Sequence, residues 1–410
     1  MAKIRARRRV RVAGFVLGAL GVVANHQAAA EVVPESVPAP TVTDVAPATN
    51  QPTPPAATAA PTTDSFPVNA QVGTRLAIRV QNPNLGSRDK LDDVGSDGEA
   101  DVVLWGQLHP FVKWQAGFVG SYGLGTNTRA DVLDLVAKVE IAEALNLWVG
   151  RMPMPADRSS LSTVWALPTW NAPGRYSAHP PVSPLDTTRP WPGPRYGDYG
   201  RGDGVTVWGQ LRGGRLKYYA GVFDLDQPDQ SPLYTARLNL SLINPEPGYR
   251  SSSGYYGNKN VLALGVGAQH KTSGSLPASG LRVLATDFNE VNTDLFFEMN
   301  GGAAGVVNVE SSFAKVWADD ELASYQVMGL ASYLVPIDVG IGRFQPLLRC
   351  QFAGSGKAAD ATSFTGIDAQ LGYIVDGYNA RLLAVYQWAK LQGRRENAIL
   401  FGLQLLSHAK

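Results

Sequence analysis

The side chains best suited to chemistry on a dissolved solute are concentrated between Pro155 and Gly202. Arg158, Arg175, Arg189, Arg195 and Arg201 share that stretch with Trp165, Trp170, Tyr176, Trp191, Tyr196 and Tyr199. A guanidinium fork takes carboxylate or phosphate oxygens in pairs, and aromatic faces give it surfaces to lie on. The acids of the stretch are Asp157, Asp186 and Asp198, so arginine is in excess. Its last part, "RPWPGPRYGDYGRGDG" (189–204), holds too much proline and glycine for a helix or a strand. Proline fixes the backbone at little entropic cost, so such a segment can hold cations out toward a solute. The alternative for each arginine is a structural pair with an acid on a neighbouring element. The scaffold decides between them.

Other reactive groups are less organised. His26, His109, His179, His270 and His408 are scattered without metal-ligand spacing, which predicts no metal and no cofactor. "GVGAQH" (265–270) and "GLG" (123–125) lack the helix and Lys-Ser/Thr of a phosphate-cradling loop, so glycine inside a strand is expected instead. "KLDDVGSDGEAD" (90–101) gathers Asp92, Asp93, Asp97, Glu99 and Asp101. It reads as a solvated acidic external loop rather than a Ca²⁺ site, since the EF-hand spacing is missing.

The chain has 410 residues and is rich in glycine, aromatics, valine and leucine, which favours β structure. Lys3, Arg5, Arg7, Arg8, Arg9 and Arg11 precede an apolar run, "VAGFVLGALGVVA" (12–24), and Ala28-Ala29-Ala30. Residues 1–30 therefore read as a secretory signal peptide, too short in its apolar run to span a bilayer. That leader holds six of the 36 basic residues and no acid, which leaves 30 against 35 and argues against a nucleic-acid partner. The single cysteine, Cys350, excludes an internal disulfide. Residues 31–67, rich in Pro, Ala and Thr, predict a disordered tether.

From Thr74 onward, hydrophobicity alternates with a period of two in segments mostly near ten residues long. "RLAIRVQ" (75–81), "YTARLNLSLI" (234–243) and "GIDAQLGYIV" (366–375) show it most clearly. Period two means strand, and the length suits a tilted crossing of an outer membrane better than a soluble sheet. Sixteen such segments can be counted, joined by tight turns on one side ("HP", "IAEA", "GG", "GGAA", "DGY") and longer loops on the other. That is the pattern of an all-β, antiparallel transmembrane barrel over residues 68–410. Closure also removes exposed edges. Trp105, Trp114, Trp148, Tyr373, Tyr386, Trp388 and Phe401 mostly fall near strand ends, as interfacial girdles require, with ordinary core the alternative for each. On this scaffold the 155–202 stretch is the third external loop, folded into the barrel.

Four stretches resemble the phosphate-selective porin O/P family: "LNLWVGRMPMPADRSSL" (145–161), "RGDGVTVWGQLRGGRLKYYAGVFD" (201–224), "FQPLLRCQF" (344–352) and "LGYIVDGYNARLLAVYQWA" (371–389). Their order and spacing carry the likeness, which runs from about Val72 to the carboxyl end. The resemblance implies a sixteen-stranded, trimeric outer-membrane barrel that passes small anionic solutes passively. The constriction would use Arg158, Arg175, Arg189, Arg195, Tyr196, Tyr199 and Arg201, with Arg75, Arg79, Arg237, Arg349 and Arg381 lining the lumen. Asp134, Glu298 and Asp368 share that inward face, so a general, mildly anion-preferring pore is expected rather than strict phosphate selectivity. Lys271, Lys315, Lys357 and Lys390 are expected near the external rim, where they would steer anions; scattered surface lysines are the alternative. Two other functions stay open: a structural or adhesive barrel plugged by the aromatic loop, and a barrel esterase or lipase.

Overall fold

Leu76 and Ile78 are exposed on one face of the first strand, while Arg75, Ala77 and Arg79 are buried on the other. The same alternation runs around a single closed sheet. The computed structural model describes residues 68–81, 93–123, 126–171, 201–224, 231–272, 287–317, 323–355, 363–391 and 394–408. In chain order the strands are β1 Val68–Gln81, β2 Asp93–His109, β3 Val112–Gly123, β4 Thr126–Ala142, β5 Leu145–Pro153 and β6 Arg201–Leu211. They continue as β7 Leu216–Asp224, β8 Leu233–Ile243, β9 Val261–Lys271, β10 Phe288–Asn300, β11 Val306–Trp317 and β12 Ala323–Leu334. The last are β13 Asp338–Val339, β14 Gly342–Ser355, β15 Phe364–Asp376, β16 Ala380–Leu391 and β17 Arg394–His408. Each pairs antiparallel with its neighbours, and β1 pairs with both β2 and β17, so the ring has no edge. β13 is a two-residue extension of its hairpin, which leaves sixteen wall strands, as the sequence predicts.

The reason for closure is chemical. Outward residues such as Leu76, Val149, Leu238, Leu240, Val266, Leu348, Leu382 and Phe401 form an apolar outer surface. Hydrocarbon suits such a surface, and in water it would be a large adhesive patch. Inward positions carry Arg75, Arg79, Asp134, Arg237, Asn239, Asp294, Glu298, Arg349, Asp368 and Arg381, all buried. Because every strand has two partners, the backbone polar groups of the wall are paired within it, as a bilayer demands.

Two expectations are corrected here. The acidic stretch around Asp97 to Asp101 is not an external loop but part of β2. Its carboxylates stand at alternate positions on the inward face, where Asp97 meets Arg79 at 3.4 Å and Glu99 meets Arg75 at 3.9 Å. A charge run with two-residue spacing opposite a strand with the complementary run is a cross-strand pair, not a solvated loop. Trp148 is not an outward girdle residue either. It shares the inward parity of Asn146 and stacks on Tyr249 at 4.3 Å between ring centres.

Gly265 and Gly267 lie on the inward face of β9, as the strand-glycine reading of "GVGAQH" predicts. A Cβ at Gly265 would stand 2.2 Å from Arg237 Nη2 and 2.5 Å from Asp294 Oδ1. Its absence lets an ion pair pass over β9 from β8 to β10. Gly265→Val is therefore expected to lower the thermal midpoint in detergent, while Ala268→Val, on the outward face of the same strand, leaves it nearly unchanged. Equal effects from the two would show that the bare β9 surface is not needed.

Candidate functional site inside the barrel

The chain leaves β5 at Pro153 and returns in β6 at Arg201, and those two residues pair directly. Of the intervening stretch the structure describes residues 154–171. Asp157 caps a single helical turn, Arg158–Leu161: its carboxylate accepts from Ser160 N at 2.8 Å, and Ser160 Oγ accepts from Asp157 N at 3.1 Å. This reciprocal cap fixes the turn that presents Arg158.

Two walls of the barrel grip this segment. On β8–β10, Arg237 forms a fork on Asp294 at 2.6 and 2.9 Å, and Arg237 Nη1 also donates to Ala156 O. Asp294 in turn accepts from Arg158 N at 3.2 Å. Further around the ring, on β14, Arg349 donates to Asn171 O at 2.8 Å while paired with Asp368. Gln370 and Arg381 donate to Pro168 O, Gln404 donates to Trp165 O, and Arg75 donates to Trp170 O. Arg75 also lies over the Trp170 ring at 4.2 Å, and Trp165 Nε1 donates to Asp101 at 2.5 Å. Residues 156–171 thus touch inward side chains from β8 and β10 at one end and from β1, β2 and β14 to β17 at the other.

A second segment meets it. Residues 244–260, between β8 and β9, carry buried Glu246, Tyr249, Ser251, Ser253 and Tyr256. Arg158 forms a fork on Glu246 at 2.9 and 2.5 Å, donates to Ser252 O, and stacks on Phe296 at 3.8 Å. Tyr255 OH donates to Glu246 at 2.5 Å. Tyr249 OH donates to Pro153 O, Ser162 Oγ donates to Ser251 O at 3.0 Å, and Ser162 and Ser253 share a hydrogen bond between hydroxyls at 3.3 Å. Arg250 reaches β4, donating to Asp134 at 2.6 Å, while Arg381 of β16 donates to Tyr256 OH at 2.9 Å. Sequence reasoning missed this segment. Its length, on the side where the other connections are tight turns, and its three tyrosines were the signal for it.

The predicted site residues can now be placed. Arg158 and Arg201 are each about 98–99% buried, and Arg201 Nε donates to Asp134 Oδ1 at 3.0 Å. Arg75, Arg79, Arg237, Arg349 and Arg381 all point inward, but each holds a carboxylate, a carbonyl or a side-chain oxygen rather than facing open space. Lys271 is fully buried on the inward face of β9, not exposed at a rim. Lys315 and Lys390 have outward parity in β11 and β16; Lys315 lies 5.9 Å from the Trp317 ring, an arrangement suited to snorkelling at a lipid boundary. Strand parity, not chain position, makes that difference. Arg175, Arg189, Arg195, Tyr196, Tyr199 and Lys357 lie outside the described residues. Beside Tyr249 and Arg250 lies a recess of about 590 Å³ that is also lined by Lys138, Glu140, Trp148 and Trp208.

Burial opposes the charge on Glu246, yet the Arg158 fork overrides it and holds the carboxyl at about 2, below its ordinary 4.5. The folded state thus binds this proton less tightly than the unfolded chain. The stability that Glu246 contributes is complete above 4.5 and is lost as pH falls toward 2. Acidification from about pH 5 to about pH 2.5 is expected to lower the thermal midpoint of the native protein more than that of Glu246→Gln. A parallel fall in both would remove Glu246 from the account.

No family model matches the chain, and no curated protein sequence matches it. Solved structures do. The chain is similar to OmpF of Salmonella typhi in complex with daunomycin, with 10% identity, a TM-score of 0.53, and coverage of 82% of this chain and 97% of that one. It is also similar to a loop L8 deletion mutant of OmpT, an outer membrane protein of Vibrio cholerae, with 13% identity, a TM-score of 0.51, and coverage of 84% and 100%. At such identities the likeness is one of fold, and it leaves the resemblance to the phosphate-selective O/P family where the sequence put it. The shared feature is a large, closed, antiparallel barrel.

Proposed function

We propose that the protein is a passive outer-membrane diffusion channel for small solutes, exported by residues 1–30 and narrowed by the segment that follows β5. One observation carries this reading: sixteen wall strands around a polar interior. A barrel of that size encloses far more than its own side chains can fill, whereas a purely structural anchor can be built from eight strands. The arginine excess of the 155–202 stretch supports a preference for anions. Since the described interior arginines already hold protein oxygens, that preference is mild, and strict phosphate selectivity is not part of the proposal. A homotrimer, which the sequence resemblance implies, belongs to the same reading.

A specific observation favours a second reading, a plugged barrel: the two inner segments are fastened to each other and to both walls. Reconstitution in planar bilayers separates the readings. Unitary conductance steps are expected, with a reversal potential in a salt gradient that leans to the anion side; persistent silence would favour the plug. The esterase alternative has less to stand on. Among the described residues His270 faces Asn289 and His109 accepts from Phe111 N, and neither contact is the serine pairing such an enzyme needs.

A further inference from the structure

Connections after β5 and after β8 lie at opposite ends of an up-and-down barrel, because three strands separate them and each reverses direction. The segment 244–260 therefore reaches Arg158 from the other end of the barrel. We infer that this segment is a second element of the channel interior, and that its Glu246 sets the charge preference of the path by cancelling Arg158.

The inference rests on the channel reading above. Its physical basis is the geometry of the pair. Arg158 and Glu246 form a two-pronged fork in which both side chains are 1% exposed. A matched pair of this kind presents a short dipole to a passing ion, and its field falls off quickly. Either partner alone would present a full charge inside a narrow lumen with low-dielectric walls, where a single charge is felt strongly. Arg158 cannot discard its charge, because guanidinium stays protonated. The neutral variant of Glu246 therefore converts a dipole into a fixed cation. The segment is held for this task independently of the pair: Tyr249 stacks on Trp148, Glu298 accepts from Tyr255 N at 2.8 Å and from Gly257 N at 2.7 Å, and Arg250 is fixed on Asp134. Glu246 is thus a positioned counter-charge, delivered to the constriction by a connection that would otherwise be a turn.

The test is the reversal potential of single channels in a potassium chloride gradient at pH 8, for the native protein, Glu246→Gln, Arg158→Gln and the double variant. Glu246→Gln is expected to shift the preference toward chloride, Arg158→Gln toward potassium, and the double variant to return to the native value. A residue that merely braced the fold would move both single variants the same way, and the pair would not cancel. Arg158→Lys keeps the charge and is expected to keep the native preference, which guards against a folding artefact. If all four conduct with one preference, the inference falls and the channel reading stands. If the native protein is silent while Glu246→Gln conducts, the channel reading falls and 244–260 is still an interior element. Silence of all four would overturn both.

Discussion

Arg237→Met is expected to cost the folded barrel about 3–5 kcal/mol, the range for breaking a buried ion pair by removing one partner. Asp294→Leu on the same background is expected to return most of that loss. The reason lies in how the pair is built. Arg237 on β8 and Asp294 on β10 meet across the bare surface of β9, and their side chains are 0% and 2% exposed. Asp294 also accepts from Arg158 N, and Arg237 supports Ala156 O. Removing the guanidinium strands a carboxylate in a buried site beside buried Asp157, so the penalty is the desolvation of an uncompensated charge and not the worth of one bond. Removing both charges replaces the fork by apolar surface, which such sites tolerate well. The measurement is the thermal midpoint in detergent of both single variants and the double one. If the double variant were as unstable as Arg237→Met, the loss would come from the anchoring of 154–171 rather than from the stranded charge.

The wall of this protein was legible because a membrane barrel writes its pattern into every strand. Leu238, Leu240 and Leu242 alternate with Arg237, Asn239 and Ser241, and the structure places the first set outward and the second inward. Even the parity of isolated arginines such as Arg349 and Arg381 could be read. What occupies the interior could not. The partner of Arg158 could not be named from the chain, because Glu246 is 88 residues away on a connection that carried no reading of its own. Asp97 and Glu99 looked like a solvated run because the sequence hides which strand stands opposite them. Periodicity reports the face of a residue; it does not report what enters the lumen to meet that face. A count of inward arginines therefore overstates the charge a solute would encounter, since tertiary pairing consumes most of it.

Replacing residues 155–200 by a short Gly-Ser turn is expected to raise single-channel conductance several-fold and to weaken its charge preference. The graft is geometrically undemanding. Pro153 and Arg201 are already partners in the β5–β6 ladder, so the hairpin can close with a tight turn and no change of register. The wall should assemble normally, because its pairing does not involve the removed residues. The consequence inside is larger. Arg75, Arg237, Arg349, Arg381, Gln370 and Gln404 all donate to carbonyls between Ala156 and Asn171, and they would lose those acceptors together. In a dry core such a loss would be ruinous, but a lumen opened by the deletion admits water to take the same bonds. Stability is then expected to fall only modestly while the cross-section available to ions grows. Glu246 would lose its Arg158 fork, and its carboxylate would face the widened lumen as an uncompensated anion, drawing the preference away from chloride. Unchanged conductance in a folded deletion variant would place the ion path elsewhere and make the segment after β5 a brace between the walls.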